Sequence, residues 1–231
     1  MKNVLRRILT FLKYFVILYF ASSFFFVILY KFVNPPVTPL MVIRLVEQAT
    51  EGQTVRLKKQ WVTLGDISPS LPLAVIASED NLFFEHSGFD FESIEKAREF
   101  NKEKQGKKVR GASTISQQTA KNVFLWGQRS WIRKGVEAYF TVLIEFIWGK
   151  KRILEVYLNV IETGKGIYGV EEAARTNFGK PASQVSRGEA ALIAAVLPNP
   201  LKWSPSSPTP YITGRQQWIL WNMNNIGKLS Y

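Results

Sequence analysis

Apolar positions along the chain fall into a few runs separated by polar punctuation, and most runs repeat at helical spacing. The longest, residues 14–30, carries no charge, and its polar content is Ser22, Ser23 and three tyrosines. Its seventeen residues span roughly 25 Å as a helix, and the flanking Lys13 and Lys31 can snorkel to reach both faces of a bilayer. This pattern predicts a membrane-spanning helix. Ala21-Ser22-Ser23 resembles a signal-peptide cleavage site, but residues 24–30 continue the apolar run beyond it, so an uncleaved anchor is expected. Asn34-Pro35-Pro36-Val37-Thr38-Pro39 cannot continue a helix and reads as a stiff, extended linker.

Beyond the linker, residues 40–49 form a short helix candidate with Met41, Leu45 and Gln48 on other faces. Residues 55–64 alternate and read as extended, whereas 72–78 are apolar enough for a buried helix. Asp90-Phe91-Glu92-Ser93 starts a helix with Phe91, Ile94, Ala97 and Arg98 along one face. It dissolves into residues 101–110, where many like charges and few apolar side chains predict a mobile loop. Ser113 is expected to cap a helix running through Phe124. Ser130 should open the longest helix, with Ile132, Val136, Phe140, Leu143, Ile144 and Ile147 recurring along it. Helices over 150–161 and 170–178 follow, the second closed by Gly179 and Pro181. Ser186-Arg-Gly-Glu189 is a capping box ahead of the apolar stretch 190–197, and a last amphipathic helix covers 210–226. The expected fold is mainly α. Its expected order is a basic tail (1–13), an anchor (14–30), a linker (31–39) and one domain (40–231).

Composition narrows the chemistry. The 231 residues carry 30 Lys+Arg against 18 Asp+Glu, a formal charge of +12, with no Cys and one His. Disulfides, thiolate zinc sites, cysteine nucleophiles and multi-histidine metal sites are therefore excluded, and a catalytic triad would have to use His86. Lys2, Arg6, Arg7, Lys13 and Lys31 put five positive charges and no negative one in the first 33 residues. The short N-terminus should stay cytoplasmic, and the exported remainder keeps +7. Nucleic acid does not suit an exported chain; a membrane surface or a phosphate-bearing substrate does.

Ser93-Ile-Glu-Lys96 matches a serine–lysine pattern but lacks its S-D-N and K-T-G companions, and no phosphate-binding P-loop occurs. More informative is the stretch 78–90, where Glu79 and Asp80 sit at the lip of an apolar element. Adjacent carboxylates there are costly unless water, cations or a reaction want them; the bland alternative is a helix-end acid pair with His86 and Asp90 as caps. In 111–122, eight of twelve side chains can hydrogen-bond. Gln117, Gln118, Lys121 and Asn122 can present amide and ammonium donors to sugar hydroxyls and phosphate oxygens. Arg129, Arg133 and Lys134 bracket a helix start and make an anion site, while Glu137 can pair with Arg133 one turn away.

The segments 79–90, 111–122, 133–137 and 151–159, in this order and behind an anchor, resemble the motifs of the peptidoglycan glycosyltransferases. Residues 166–174 and 189–200 resemble later segments of the same family, so the likeness runs from about Trp61 to Trp203. Lacking a transpeptidase half, the chain is similar to the monofunctional form. Ser116 stands where the family usually has Thr, and Asn177 where an aromatic often precedes Phe178. The resemblance implies a lysozyme-like helical domain with a membrane-proximal jaw that polymerises lipid II into glycan strands. It implies Glu79 as the general base and Glu137 as a second acid that orients cations or a divalent ion such as Mg or Mn, with no tightly bound cofactor. Asp80, Ser113, Thr114, Gln117, Gln118, Lys121, Asn122, Arg129, Arg133 and Lys134 would hold substrate and pyrophosphate, supported by His86, Glu155 and Asn159. Implied partners are lipid II, the growing lipid-linked strand, the inner membrane and other cell-wall synthesis proteins. Ordinary glutamate acidity and nearby cations should keep Glu79 ionised. The loop 102–110 is expected to be able to close over the donor strand. Two rivals make different predictions: a lytic glycosidase of the same fold needs a protonated, pKa-raised carboxyl, and a non-catalytic wall-binding protein would tolerate Glu79→Gln.

Overall fold

The computed structural model describes residues 2–104, 111–128, 130–227 and 229. The expectations placed on the 105–110 loop and on Arg129 therefore lie outside the described residues.

The fold is mainly helical, as the apolar spacing predicts. Helix α1 (Lys2–Phe32) runs for 31 residues without a break between the basic tail and the apolar stretch. At about 46 Å it is long and apolar enough to cross a membrane. It is also longer than α6 (Trp131–Ile147), which at 17 residues equals α10 (Pro210–Ile226) rather than exceeding every helix.

Helix α1 is joined to the domain by more than the linker. Ser23 and the Tyr139 hydroxyl of α6 share a 2.7 Å hydrogen bond, and Trp148 Nε1 donates to the Val27 carbonyl at 2.7 Å. The Arg152 guanidinium donates to the carbonyls of Tyr30 and Val33 at 2.9 and 3.2 Å, placing a cation on the carbonyl end of α1. Lys59 donates to the Pro35 and Pro36 carbonyls, and the ring of Trp61 lies between Lys59 and Arg152. The proline linker is thus clamped against the domain.

Within the domain, α2 (Pro39–Thr50) buries Met41 and Gln48, so these two form its inner face. The extended reading of 55–64 holds only in part. Lys58–Lys59 form β1, parallel to β3 (Ile167–Tyr168), which pairs antiparallel with β2 (Glu162–Gly164). Helix α3 (Ser70–Glu79) buries every residue from Leu71 to Ala77, the signature of a helix enclosed on all sides. It packs on α9 (Arg187–Val196) and α10. Alanines 190, 191, 194 and 195 of α9 are fully buried, and their small side chains let the helices approach closely. Helix α7 (Lys150–Val160) buries Ile153, Leu154, Val156, Tyr157, Leu158 and Val160, and packs against α5 (Ile115–Phe124) and α8 (Gly169–Phe178).

Helix α4 (Phe91–Glu103) departs from expectation. Asp90 caps it through the Ser93 amide at 2.8 Å, but Ala97 alone of its residues is buried. Phe91 is 75% exposed, so the face drawn through Phe91, Ile94 and Arg98 meets solvent rather than a core.

Glu155 and Asn159 do support the domain. Asn159 exchanges two 2.9 Å bonds with the Val62 amide and carbonyl, and Glu155 accepts from the Leu64 amide at 3.1 Å. Together they pin the strand-like approach to α3 onto α7.

Candidate active site

Helix α3 ends at Glu79, and Asp80 turns the chain by leaving helical geometry. Asp80 is 6% exposed; one oxygen accepts from the Ile115 amide at 2.9 Å and the other from His86 Nε2 at 2.8 Å. The Gly88 amide donates to His86 Nδ1 at 3.1 Å, which leaves Nε2 to carry the proton toward Asp80. Asp80 holds the first amide of α5, where a carboxylate also suits the helix dipole, so both of its oxygens are committed to protein donors. His86 is its partner.

Helix α5 carries a correction. Its N-cap is Thr114, not Ser113: the Thr114 hydroxyl accepts from the Gln117 amide and the Gln117 side chain accepts from the Thr114 amide. The Thr114 hydroxyl also donates to the Gly88 carbonyl at 2.7 Å. Thr114, Ser116, Gln117, Thr119 and Asn122 are all buried, so much of the segment's polarity points inward. Ser116 donates to Glu145, which also accepts from Lys150 at 2.6 Å. The residues left toward solvent are Ser113, Gln118 and Lys121.

Gly88 sets this corner. Its φ is +90°, and a Cβ there would lie 2.8 Å from Thr141 Cγ2 and 3.0 Å from Glu145 Cγ. Left-handed strain plus local overpacking costs about 2–4 kcal/mol. Gly88→Ala is therefore expected to lower unfolding stability by that amount, read by chemical denaturation of the detergent-solubilised protein.

The solvent-facing groups form one connected patch. Gln118 Nε2 donates to Glu79 Oε2 at 2.8 Å and to the Ser113 carbonyl at 3.4 Å. The Tyr157 hydroxyl donates to Gln118 Oε1 at 3.1 Å, which fixes the amide's orientation. Lys134 Nζ reaches the Ser113 hydroxyl at 3.3 Å and also pairs with Glu137. Arg133, whose amide is capped by Ser130, pairs with the other Glu137 oxygen at 2.7 Å. Arg133 and Glu137 are 8% and 3% exposed, so this pair forms the floor of the patch.

Lys121 differs from its neighbours. Its ammonium has no hydrogen-bond or ion-pair partner among the described residues, although Glu137, Arg133, Glu79 and Lys134 all act on it electrostatically. Burial, aided by repulsion from Arg133 and Lys134, pushes it below lysine's ordinary value, against the pull of Glu137 and Glu79. Among Lys121, Arg133 and Lys134, it is the cation not paired with Glu137.

Glu79 is also perturbed, contrary to expectation. Burial raises its carboxyl above the usual range and outweighs Gln118, Arg215, Ser78 and Lys121, which all favour the charged form. Burial likewise pushes the Tyr157 phenol well above its ordinary value, so it stays a hydroxyl donor. Tyr157, Ser78 and Arg215 were not foreseen as site residues; a tyrosine hydroxyl on the apolar face of α7 was the one available signal.

A metal at Glu137 does not fit. Both oxygens are taken by cations, Lys121 adds a third positive charge nearby, and no cluster of three His, Cys, Asp or Glu exists among the described residues.

The profile of the Transglycosylase family matches residues 46–224. The chain is 54% identical over 224 residues to a biosynthetic peptidoglycan transglycosylase of Bacteroides thetaiotaomicron, an alignment covering 97% of this chain and 90% of that one. It is 56% identical over 205 residues to the protein of the same name in Bdellovibrio bacteriovorus, covering 89% and 81%. In Pseudomonas entomophila the corresponding figures are 49% over 231 residues, covering 100% and 95%. Identity of this level over almost the whole chain, together with the family match over residues 46–224, places the chain in the peptidoglycan transglycosylase family.

Proposed function

We propose that the chain polymerises lipid II, with Glu79 as general base. The acceptor is lipid II; the donor is the growing glycan on undecaprenyl pyrophosphate. The acceptor's 4-hydroxyl gives its proton to the Glu79 carboxylate as its oxygen bonds to the donor anomeric carbon. The bond from that carbon to the diphosphate breaks, its electron pair leaves with the lipid diphosphate, and attack from the opposite face inverts the configuration. A diphosphate leaves already charged, so it needs a cation rather than a proton. Lys121 supplies that charge, with Lys134 beside it and Glu137 holding Arg133 and Lys134 in place.

The observation that carries this reading is that Glu79, held by Gln118, lies within electrostatic reach of Lys121, which has no ion-pair partner among the described residues. A raised pKa alone would also suit a lytic acid; the Lys121 ammonium favours an anionic leaving group. In this reading α1 spans the inner membrane once. Its basic end is cytoplasmic and the domain sits on the outer face, where lipid II and other wall-synthesis proteins meet it.

The electrostatics predict a bell-shaped pH profile for kcat. Glu79 must be ionised, so the rate falls as pH drops through its raised pKa; Lys121 must be charged, so the rate falls as pH climbs through its lowered pKa. Both limbs thus lie closer to neutrality than ordinary glutamate and lysine would place them. Steady-state polymerisation of labelled lipid II across pH tests this, and a flat profile across the neutral range contradicts it.

A further inference from the structure

Both oxygens of Glu79 are held, and from different helices. Gln118 of α5 holds Oε2; the Ser78 hydroxyl lies 3.3 Å from Oε1. Ser78 is in turn reached by Arg215 of α10, whose Nη2 donates to its hydroxyl at 3.3 Å while Nε donates to the Ala195 carbonyl at 3.3 Å. Gln216, the next residue, donates to the Gly188 carbonyl at 2.9 Å, so α10 is fastened at both ends of α9. Arg215 has no carboxylate in salt-bridge contact among the described residues, and it is partly buried. A guanidinium held on the hydroxyl that serves a carboxylate is a costly arrangement for a merely structural arginine.

We infer that Arg215, acting through the Ser78 hydroxyl, is a positioning residue for Glu79. By filling the Ser78 oxygen's acceptor site, Arg215 turns its O–H away from solvent and toward Glu79 Oε1 or the Ala194 carbonyl, 3.4 Å away. When Glu79 ionises, the hydroxyl swings to it, and the Arg215 charge stabilises that state from behind. The carboxylate is left with a fixed aim toward the acceptor. The groups acting on Glu79 come from four helices: Ser78 on α3, Gln118 and Lys121 on α5, Tyr157 on α7 and Arg215 on α10. Of these, Arg215 and Lys121 bring a full positive charge, Arg215 from α10 and Lys121 from α5.

This inference rests on Glu79 being the base. Its test is the pH profile of lipid II polymerisation by the full chain in detergent, for the wild type, Arg215→Ala, Arg215→Lys and Ser78→Ala. Removing a stabilising charge from a carboxylate raises its pKa. Arg215→Ala should therefore move the acid limb to higher pH, cutting the rate at the wild-type midpoint about three- to tenfold. The rate should recover at higher pH, and KM should stay within about twofold. Arg215→Lys should restore part of the limb, and Ser78→Ala should move it in the same direction. A loss equal at every pH, an unmoved limb, or a change in KM alone would overturn the inference. Should Arg215→Ala not fold, Arg215→Lys and Ser78→Ala read the same outcomes. An active Glu79→Gln enzyme would instead refute the base assignment itself, so the two failures are distinguishable.

Discussion

Glu79→Gln is expected to lower the rate of glycan polymerisation about 10²–10⁴-fold, or roughly 3–5.5 kcal/mol of barrier. The substitution keeps the shape of the side chain but removes its capacity to accept a proton. KM should change little, because the effect is confined to the transition state. Stability should move the other way. Burial raises this carboxyl, so the folded state binds the Glu79 proton more tightly than the unfolded chain does. Its contribution favours folding at low pH and turns against folding as pH rises above the unfolded value. At neutral pH the ionised group costs the fold free energy, and glutamine relieves that cost. A Glu79→Gln protein that unfolds at the same or a higher denaturant concentration, yet polymerises at a small fraction of the wild-type rate, is the expected pair of results. Equal losses of both would point to a folding residue.

Lys121→Met should cost about 10²–10³-fold in kcat, or about 2.7–4 kcal/mol, the range for removing one electrostatic donor from a developing anion. Methionine retains most of the apolar stem, so the packing of the side chain is largely kept. Two effects add. The departing diphosphate loses a cation that has no ion-pair partner among the described residues, and Glu79 loses one of the charges that favour its ionised form. The acid limb should therefore rise at the same time as the plateau falls. Lys134→Met is expected to be milder, since Lys134 is already committed to Glu137 and Ser113. A larger loss for Lys134 than for Lys121 would move the leaving-group site away from Lys121.

Much of this was legible in the sequence because it depended on local rules. The caps at Asp90, Ser130 and Ser186, the Gly179 stop, and the Arg133–Glu137 pairing at i, i+4 are all set within a turn of helix. Thr114 was misplaced by one residue although Gln117, three positions on, marks it as the true capping-box residue. The errors of role arose where distant segments decide direction. Asp80 and Gln117 looked available for substrate until the packing of α3 against α5 enclosed them. The face of α4 was periodic but buries Ala97 alone. Arg215 could not be assigned at all, because only the packing of α10 on α9 and α3 brings it across 137 residues to Ser78. The raised pKa of Glu79 has the same origin: burial is a property of assembled helices, and the cations nearby only moderate it.

The most direct test of the account is to incubate the purified, full-length protein with labelled lipid II and follow both the sugar and the lipid. Long glycan polymer formed together with lipid diphosphate, and lost in Glu79→Gln, is the predicted result. Soluble fragments released from preformed cell wall, with lipid II left untouched, would contradict it.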